Sequence, residues 1–216
     1  DLHYPLRRQR QMCIRDRNTP VKTITRRQKK CILHAGNGFG NMAFDKVVLA
    51  CDGPQTLKLI KDVTKEEEGI LKMFKVSENK VVLHSDEAHM PKLKKVWSSW
   101  NFITNNINDS RKKPIEVTYW MNKLQNIKSK NQYFVSLNPS KKIDRSLIHY
   151  ETAYSHPIFD SNTLNAQIKL NAIQGKNSLY FAGAKMGFGF HEDGLNSGLK
   201  VAKLLGCEPS WSERKI

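Results

Sequence analysis

The sequence SLYFAGAKMGFGFHEDGLNSGLKVAKLLG, residues 178–206, is the most informative part of this chain. Its first residues predict a short buried strand, and the glycines that follow predict a turn. Leucine and alanine then recur at helical spacing, which predicts a helix. Glycines let the backbone approach a ligand without interference from Cβ atoms. The unpaired N–H groups and the dipole at a helix start favour a phosphate or an electron-rich ring edge. The pattern is typical of the strand, turn and helix that hold a dinucleotide.

This stretch resembles the closing motif of the flavin-containing amine oxidase superfamily, specifically the FAD-dependent amine oxidase-like oxidoreductases of bacteria and plants. FAG at residues 181–183 is similar to the strand that passes the FAD pyrophosphate. FHEDGLNSGLKVA at residues 190–202 is similar to the final aromatic residue, helix start and Ser-Gly pair. The resemblance runs from about residue 20 to residue 206. Further segments keep the order of the family: TPVKTITRR (19–27), FDKVVLAC (44–51), WSSWN (97–101), YWMNKLQ (119–125), YFVSLNP (133–139) and HPIFD (156–160).

The resemblance implies FAD as cofactor and assigns its contacts residue by residue. Backbone N–H groups at the helix start would meet the N1–C2=O edge of the flavin, and Val21 would contact the adenosine part. The implied cofactor contacts are Val21, Gly183, Ala184, His191, Glu192, Asp193 and Gly194. Phe188 and Phe190 would lie on the substrate side of the ring. The flavin carries the chemistry, so no catalytic side chain and no metal are assigned.

Two positions depart from the family. Many amine oxidases carry an acidic residue directly after FAG, where this chain has Ala184, so a side-chain contact with the ribityl chain is in doubt. Relatives often have His after the VLAC segment, where this chain has Asp52. The role of Asp52 at a pocket is therefore left open.

The sequence holds no G-x-G-x-x-G motif, which a dinucleotide-binding βαβ unit needs for its first turn. We therefore expect a C-terminal part of a longer protein. Residues 1–17 carry five of the ten arginines, and RRQRQMCIRDR resembles translated sequencing-adapter sequence. We expect these residues to be a non-native or disordered tail.

The predicted fold class is α/β (α+β): an incomplete FAD-binding Rossmann-like domain with a β meander and an inserted antiparallel-sheet substrate domain. The expected domains are the tail at 1–17, an FAD-domain portion at 18–60, the substrate domain at 61–147 and a C-terminal FAD-domain portion at 148–216. Strands at 21–26, 31–34 and 46–51 would form the meander, with a hairpin turn at GNGFG, residues 36–40. Helices are expected at 52–60, 64–74 and 162–174, substrate-domain strands at 81–84, 94–102, 115–120 and 132–136, a loop at 104–114 and a strand at 147–154.

The net charge of +16 invites a role in nucleic-acid binding. Half of this excess is local, since residues 1–35 hold ten Lys or Arg against two Asp. No nucleic-acid motif accompanies the remaining lysines, so we expect a solvated surface and no nucleic-acid partner. The four cysteines have no paired spacing and no apolar run of about eighteen residues is present, which favours a cytoplasmic protein without a transmembrane segment.

Several interpretations stay open at this stage. The aromatic residues Trp97, Trp100, Tyr119 and Trp120 fit a substrate pocket or a core equally well. Glu192 and Asp193 fit acid–base groups, although caps of a helix start are the simpler interpretation. The expected function is FAD-dependent hydride transfer from a small-molecule or lipid substrate. The alternatives are a desaturase or oxidase of a lipid chain, and a non-enzymatic basic module that binds RNA or other anions.

Overall fold

The computed structural model describes residues 15–36, 38, 40–102 and 116–209. It divides into two compact units. Unit 1 takes in the chain up to Lys75 and again from Pro157 onward, and unit 2 is Val76–His156. Unit 2 thus interrupts unit 1 in the sequence.

Unit 1 begins with a three-stranded antiparallel meander of β1 (Val21–Arg27), β2 (Lys30–Ala35) and β3 (Gly40–Phe44). Gly36 and Gly38 occupy turn positions between β2 and β3, where the sequence predicts the hairpin. The prediction that residues 46–51 form the third strand of this sheet is wrong. Its apolar centre forms β4 (Val47–Leu49), which pairs in parallel with β10 (Leu179–Phe181) in a separate two-stranded sheet.

Four helices complete unit 1: α1 (Gly53–Leu59), α2 (Lys65–Leu71), α4 (Ser161–Ala172) and α5 (His191–Leu204). A capping box starts α2, since the Glu67 amide donates to Thr64 Oγ1 and the Thr64 amide donates to Glu67 Oε2. One apolar core joins the meander, the parallel strands and helices α2 and α4: Ile24, Cys31, Leu49, Ile60, Ile70, Leu71, Phe74, Ala166, Leu170, Ile173, Leu179 and Phe181.

A buried ion pair ties the meander to α2. The Arg26 guanidinium donates to both carboxylate oxygens of Glu67, at 2.6 and 3.1 Å, and its Nε lies 3.3 Å from an Asp62 oxygen. Burial by itself would raise the pKa of Glu67. The hydrogen bonds from Arg26 and Thr64, together with the Arg26 charge, outweigh burial and hold this pKa below its usual value.

Unit 2 is built on a sheet of five strands: β5 (Lys75–His84), β6 (Trp100–Phe102), β7 (Val117–Trp120), β8 (Phe134–Leu137) and β9 (Ile148–Ile158). Their order in the sheet is β6-β7-β8-β5-β9. The short helix α3 (Met121–Leu124) follows β7. The pairings of β7 with β6 and of β8 with β5 and β7 are antiparallel, as predicted. Residues 94–96, expected in a strand, form a 3-10 turn instead, and the loop predicted at 104–114 lies outside the described residues.

The aromatic residues of unit 2, which the sequence fits to a pocket or a core equally well, differ in how deeply they are buried. Trp97 is buried against Met90 and Phe134, and its Nε1–H donates to the carbonyl of Pro91 at 2.7 Å. Trp120 packs on this cluster, whereas Trp100 is 61% exposed and meets Tyr119 edge to face. Trp97 is therefore a core residue, and Trp100 faces solvent.

Candidate functional site

The candidate site lies in unit 1, where the parallel strands β4 and β10 end. Their register places Phe181 opposite Leu49, so both carboxyl ends meet at one edge. The amide of Ala182 continues the pairing by donating to the Leu49 carbonyl at 3.0 Å. Crevices at the carboxyl ends of parallel strands are the usual position of ligands in open α/β sheets.

Gly183 makes the turn that follows β10. Its φ of 107° and ψ of 170° belong to a region that only glycine adopts readily. A Cβ atom at this position would stand 2.7 Å from the carbonyl oxygen of Ala50, which follows β4. Close approach of two backbone segments therefore requires glycine here.

The turn is fastened to α5 by Ser197, which the sequence marks only as the small residue of the Ser-Gly pair. Its Oγ accepts a hydrogen bond from the Gly183 amide at 2.9 Å and donates to the Gly194 carbonyl at 2.7 Å. Ser197 is buried, so this bond is shielded from water. The start of α5 is thereby held beside the end of β10.

Asp193 organises the start of α5. Its Oδ2 accepts hydrogen bonds from the amides of Phe188 and Phe190, at 2.9 and 3.0 Å. The interpretation of Asp193 as a cap is thus the one that the contacts support. Glu192 is exposed and its carboxylate meets only Asn196 Nδ2, at 3.4 Å, within the described part of the chain.

Three backbone donors are free at this helix start. Among the described residues, the N–H groups of His191, Glu192 and Asp193 have no hydrogen-bond partner. The amide of Gly194, by contrast, donates to the Phe190 carbonyl at 3.2 Å. Of the four residues predicted to contact the flavin edge through backbone, three therefore have a free N–H group. The N–H group of the fourth, Gly194, is already hydrogen-bonded within the protein.

The remaining predicted residues lie on several elements of unit 1. Ala184 begins a 3-10 turn and its carbonyl accepts from the amides of Gly187 and Gly189. Val21 opens β1 and packs on the apolar core. Phe188 and Phe190 are each 63% exposed, and the Phe188 ring lies 6.3 Å from that of Phe159. Asp52, left open above, caps α1 by accepting from the Gln55 amide at 2.7 Å.

Lys185 is the residue of the site that sequence reasoning missed. It is 6% exposed, and its Nζ donates to the carbonyls of Leu49 (3.2 Å), Cys51 (2.7 Å) and Ala182. Burial lowers the pKa of Lys185 to about 8, and the charges of Cys51 and Asp52 oppose this shift. A lysine in a glycine-rich turn is normally exposed, so no local signal announces it.

Unit 2 contains a buried polar network of its own. His84 is completely buried, and its Nδ1 accepts from the Asp86 amide, so Nε2 carries the proton that is donated to Ser136 Oγ at 2.8 Å. Burial, followed by the nearby charge of His89, lowers the pKa of His84 to about 4. The described residues include no group of three or more metal-ligating side chains. They also include no helix with the length and apolar content needed to cross a bilayer.

Together, the parallel strands, the Gly183 turn and the start of α5 belong to a mixed α/β unit, and the chain also carries an inserted antiparallel sheet. The fold is similar to that of solved amine oxidases and of a fatty acid isomerase. A fatty acid isomerase from P. acnes that produces CLA is similar at a TM-score of 0.62 and 15% identity, over 89% of this chain and 48% of that one.

Two amine oxidases are similar as well. Wild-type putrescine oxidase bound to putrescine matches at a TM-score of 0.54 and 10% identity, over 88% of this chain and 49% of that one. Cyclohexylamine oxidase from Brevibacterium oxydans IH-35A matches at 0.53 and 10%, over 87% and 49%. The chain thus spans about half the length of these solved structures. No family model matches the sequence, and no curated protein does.

Proposed function

We propose that this chain forms one half of the FAD site of an amine oxidase-like oxidoreductase. The observation that carries the proposal is the set of free N–H groups of His191, Glu192 and Asp193 at the start of a 14-residue helix. Such a helix start attracts the electron-rich N1–C2=O edge of a flavin, through both its donors and its dipole. Gly183 and Ser197 hold these donors beside the strand end, where a dinucleotide would pass.

Bound FAD would supply the redox chemistry, in which flavin N5 accepts a hydride from a substrate C–H bond. In amine oxidases that bond is α to nitrogen. The residues of this chain would orient the ring and stabilise negative charge at its N1–C2=O edge through preorganised donors. Phe190, placed immediately before the helix, would border the substrate side.

The substrate is proposed to be a small molecule or a lipid. Similar folds include both a putrescine-bound oxidase and a fatty acid isomerase. The exposed rings of Phe188 and Phe190 favour a substrate with an apolar part. Oxidation or desaturation of a lipid chain is therefore the second candidate, and its test is the same flavin reduction assay with fatty acids in place of amines.

Residues 1–216 are expected to be inactive on their own. They contain no G-x-G-x-x-G turn, which supplies the other half of a pyrophosphate site in this class. The activity therefore has to be assayed in the natural protein that contains this sequence.

The test compares two substitutions at one position. His191→Pro removes a free backbone donor, yet proline suits the first position of a helix, and Phe190 already has the extended conformation that must precede it. His191→Ala removes the imidazole and keeps the donor. We expect flavin reduction, followed anaerobically by stopped flow, to be about 10²- to 10³-fold slower for His191→Pro than for His191→Ala. Equal rates would refute the proposed role of the helix start.

A further inference from the structure

The most unusual group of unit 1 is the ammonium of Lys185, which is buried at the site. Its three N–H donors go to carbonyls at or just beyond the ends of two neighbouring strands, those of Leu49, Cys51 and Ala182. No carboxylate of the described residues forms an ion pair with it. A buried cation without a counter-ion is costly, because carbonyl dipoles replace only part of its hydration.

The charge of Lys185 changes the character of the strand end. Carbonyl oxygens that point out of parallel strands carry partial negative charge and would repel a phosphate. The ammonium occupies three of these oxygens and adds a full positive charge in surroundings of low dielectric constant, where it acts more strongly than in water. Ala184, directly before it, contributes no opposing carboxylate.

We propose that Lys185 is a positioning residue that holds the Gly183 turn as an ammonium and gives this strand end its affinity for a phosphate-bearing flavin nucleotide. This inference rests on the proposed function. The anionic ligand is the counter-ion that the buried charge lacks, and it binds more weakly once Lys185 loses its proton. The titratable side chains whose charges act on Lys185 are Cys51 and Asp52, both from the segment after β4.

The direction of the pH effect follows from linkage. Without ligand the pKa of Lys185 is about 8, and an anion that interacts with the ammonium raises it. Binding of the anion therefore takes up a proton at alkaline pH. If the anion raises the pKa by one unit, affinity at pH 9.5 is about tenfold lower than at pH 7.

The experiment measures FAD affinity by quenching of flavin fluorescence in the natural protein that contains this sequence, at pH 7 and pH 9.5. The variants are Lys185→Met, which keeps the length of the side chain without its charge, and Lys185→Arg, which stays charged at both pH values. We expect about tenfold weaker binding at pH 9.5 for the wild type and little change with pH for either variant. Lys185→Met should bind about tenfold more weakly than wild type at pH 7.

Thermal unfolding of the apo proteins separates this role from a merely structural one. Lys185→Met leaves the carbonyls of Leu49, Cys51 and Ala182 without this donor and should unfold earlier than wild type, so FAD affinities are compared at a temperature at which both apo proteins are folded. If Lys185→Met does not fold, the inference is tested with the two remaining proteins. The FAD affinity of the wild type should then fall with rising pH, and that of Lys185→Arg should stay constant. A Lys185→Met protein that binds FAD as tightly as wild type overturns the inference alone. A wild type that binds no FAD at either pH overturns the proposed function.

Discussion

Replacement of Gly183 by alanine tests the turn on which the site depends. The new Cβ would stand 2.7 Å from the Ala50 carbonyl oxygen, on a backbone with φ of 107°. Strain in this conformation costs about 1–3 kcal/mol, and displacing packed backbone costs about 1–3 kcal/mol more. A middle value of about 4 kcal/mol lowers the melting temperature of a protein of this size by roughly 8–16 °C.

The matched control is Gly198→Ala, which lies inside α5. A Cβ at Gly198 meets nothing within 4 Å. Alanine is the better helix former, so the control should gain about 0.5–1 kcal/mol. Both variants of the 216-residue chain are compared by circular dichroism on heating and by urea titration at 25 °C. If Gly183→Ala unfolds at the same temperature as wild type, the close approach at the strand end is not real and the geometry of the site is wrong.

Three further predictions concern single ionisable side chains. Because folding lowers the pKa of Glu67, this carboxylate stabilises the fold above its unfolded-state pKa, and the stabilisation is lost as the pH falls through its folded-state pKa. In urea titrations, Glu67→Gln should be about 3 kcal/mol less stable than wild type at pH 7, and its stability should be less sensitive to acid. An unchanged acid profile would contradict this. The pKa of His84 is lowered to about 4 in the fold, so on acidification the unfolded chain takes up a proton at this residue before the folded chain does. Stability should therefore fall between about pH 6.5 and pH 4. His84→Gln should remove most of this slope, and a wild type without a slope in this range would refute the prediction. Glu192→Gln should cost about 1 kcal/mol of stability or less and leave flavin reduction unchanged; loss of reduction with FAD still bound would make Glu192 a catalytic residue.

The sequence predicts most of the site, because the strand, turn and helix that form it are contiguous. Residues 178–206 yield β10, the Gly183 turn and a helix that starts at His191, as expected. Local rules of glycine conformation and helix capping determine these features. The same rules explain Asp193, which lies in the first turn of α5 and accepts hydrogen bonds from the amides of Phe188 and Phe190.

The parts that were wrong or missed depend on contacts between distant segments. The apolar run at 46–51 fits a meander strand or a buried parallel strand equally well, and its pairing with Leu179–Phe181 decides for the second. The true third meander strand, Gly40–Phe44, has the sequence GNMAF and little apolar alternation. Its place comes from antiparallel pairing with β2.

Lys185 shows the same limit at the level of a single group. It is buried only because the carbonyls of Leu49, Cys51 and Ala182 converge where the two strands end, which residue type and spacing do not reveal. The bond of the Gly194 amide to the Phe190 carbonyl, by contrast, follows from a helix that starts at His191.

The most direct test of the account is a crystal structure, with FAD, of the natural protein that contains this sequence. We predict that the N1–C2=O edge of the flavin accepts hydrogen bonds, at about 2.9 Å, from one or more of the N–H groups of His191, Glu192 and Asp193. We also predict that the dinucleotide runs past Gly183 at the end of β10. A flavin bound away from the start of α5, with those three N–H groups facing water or other protein groups, would contradict it.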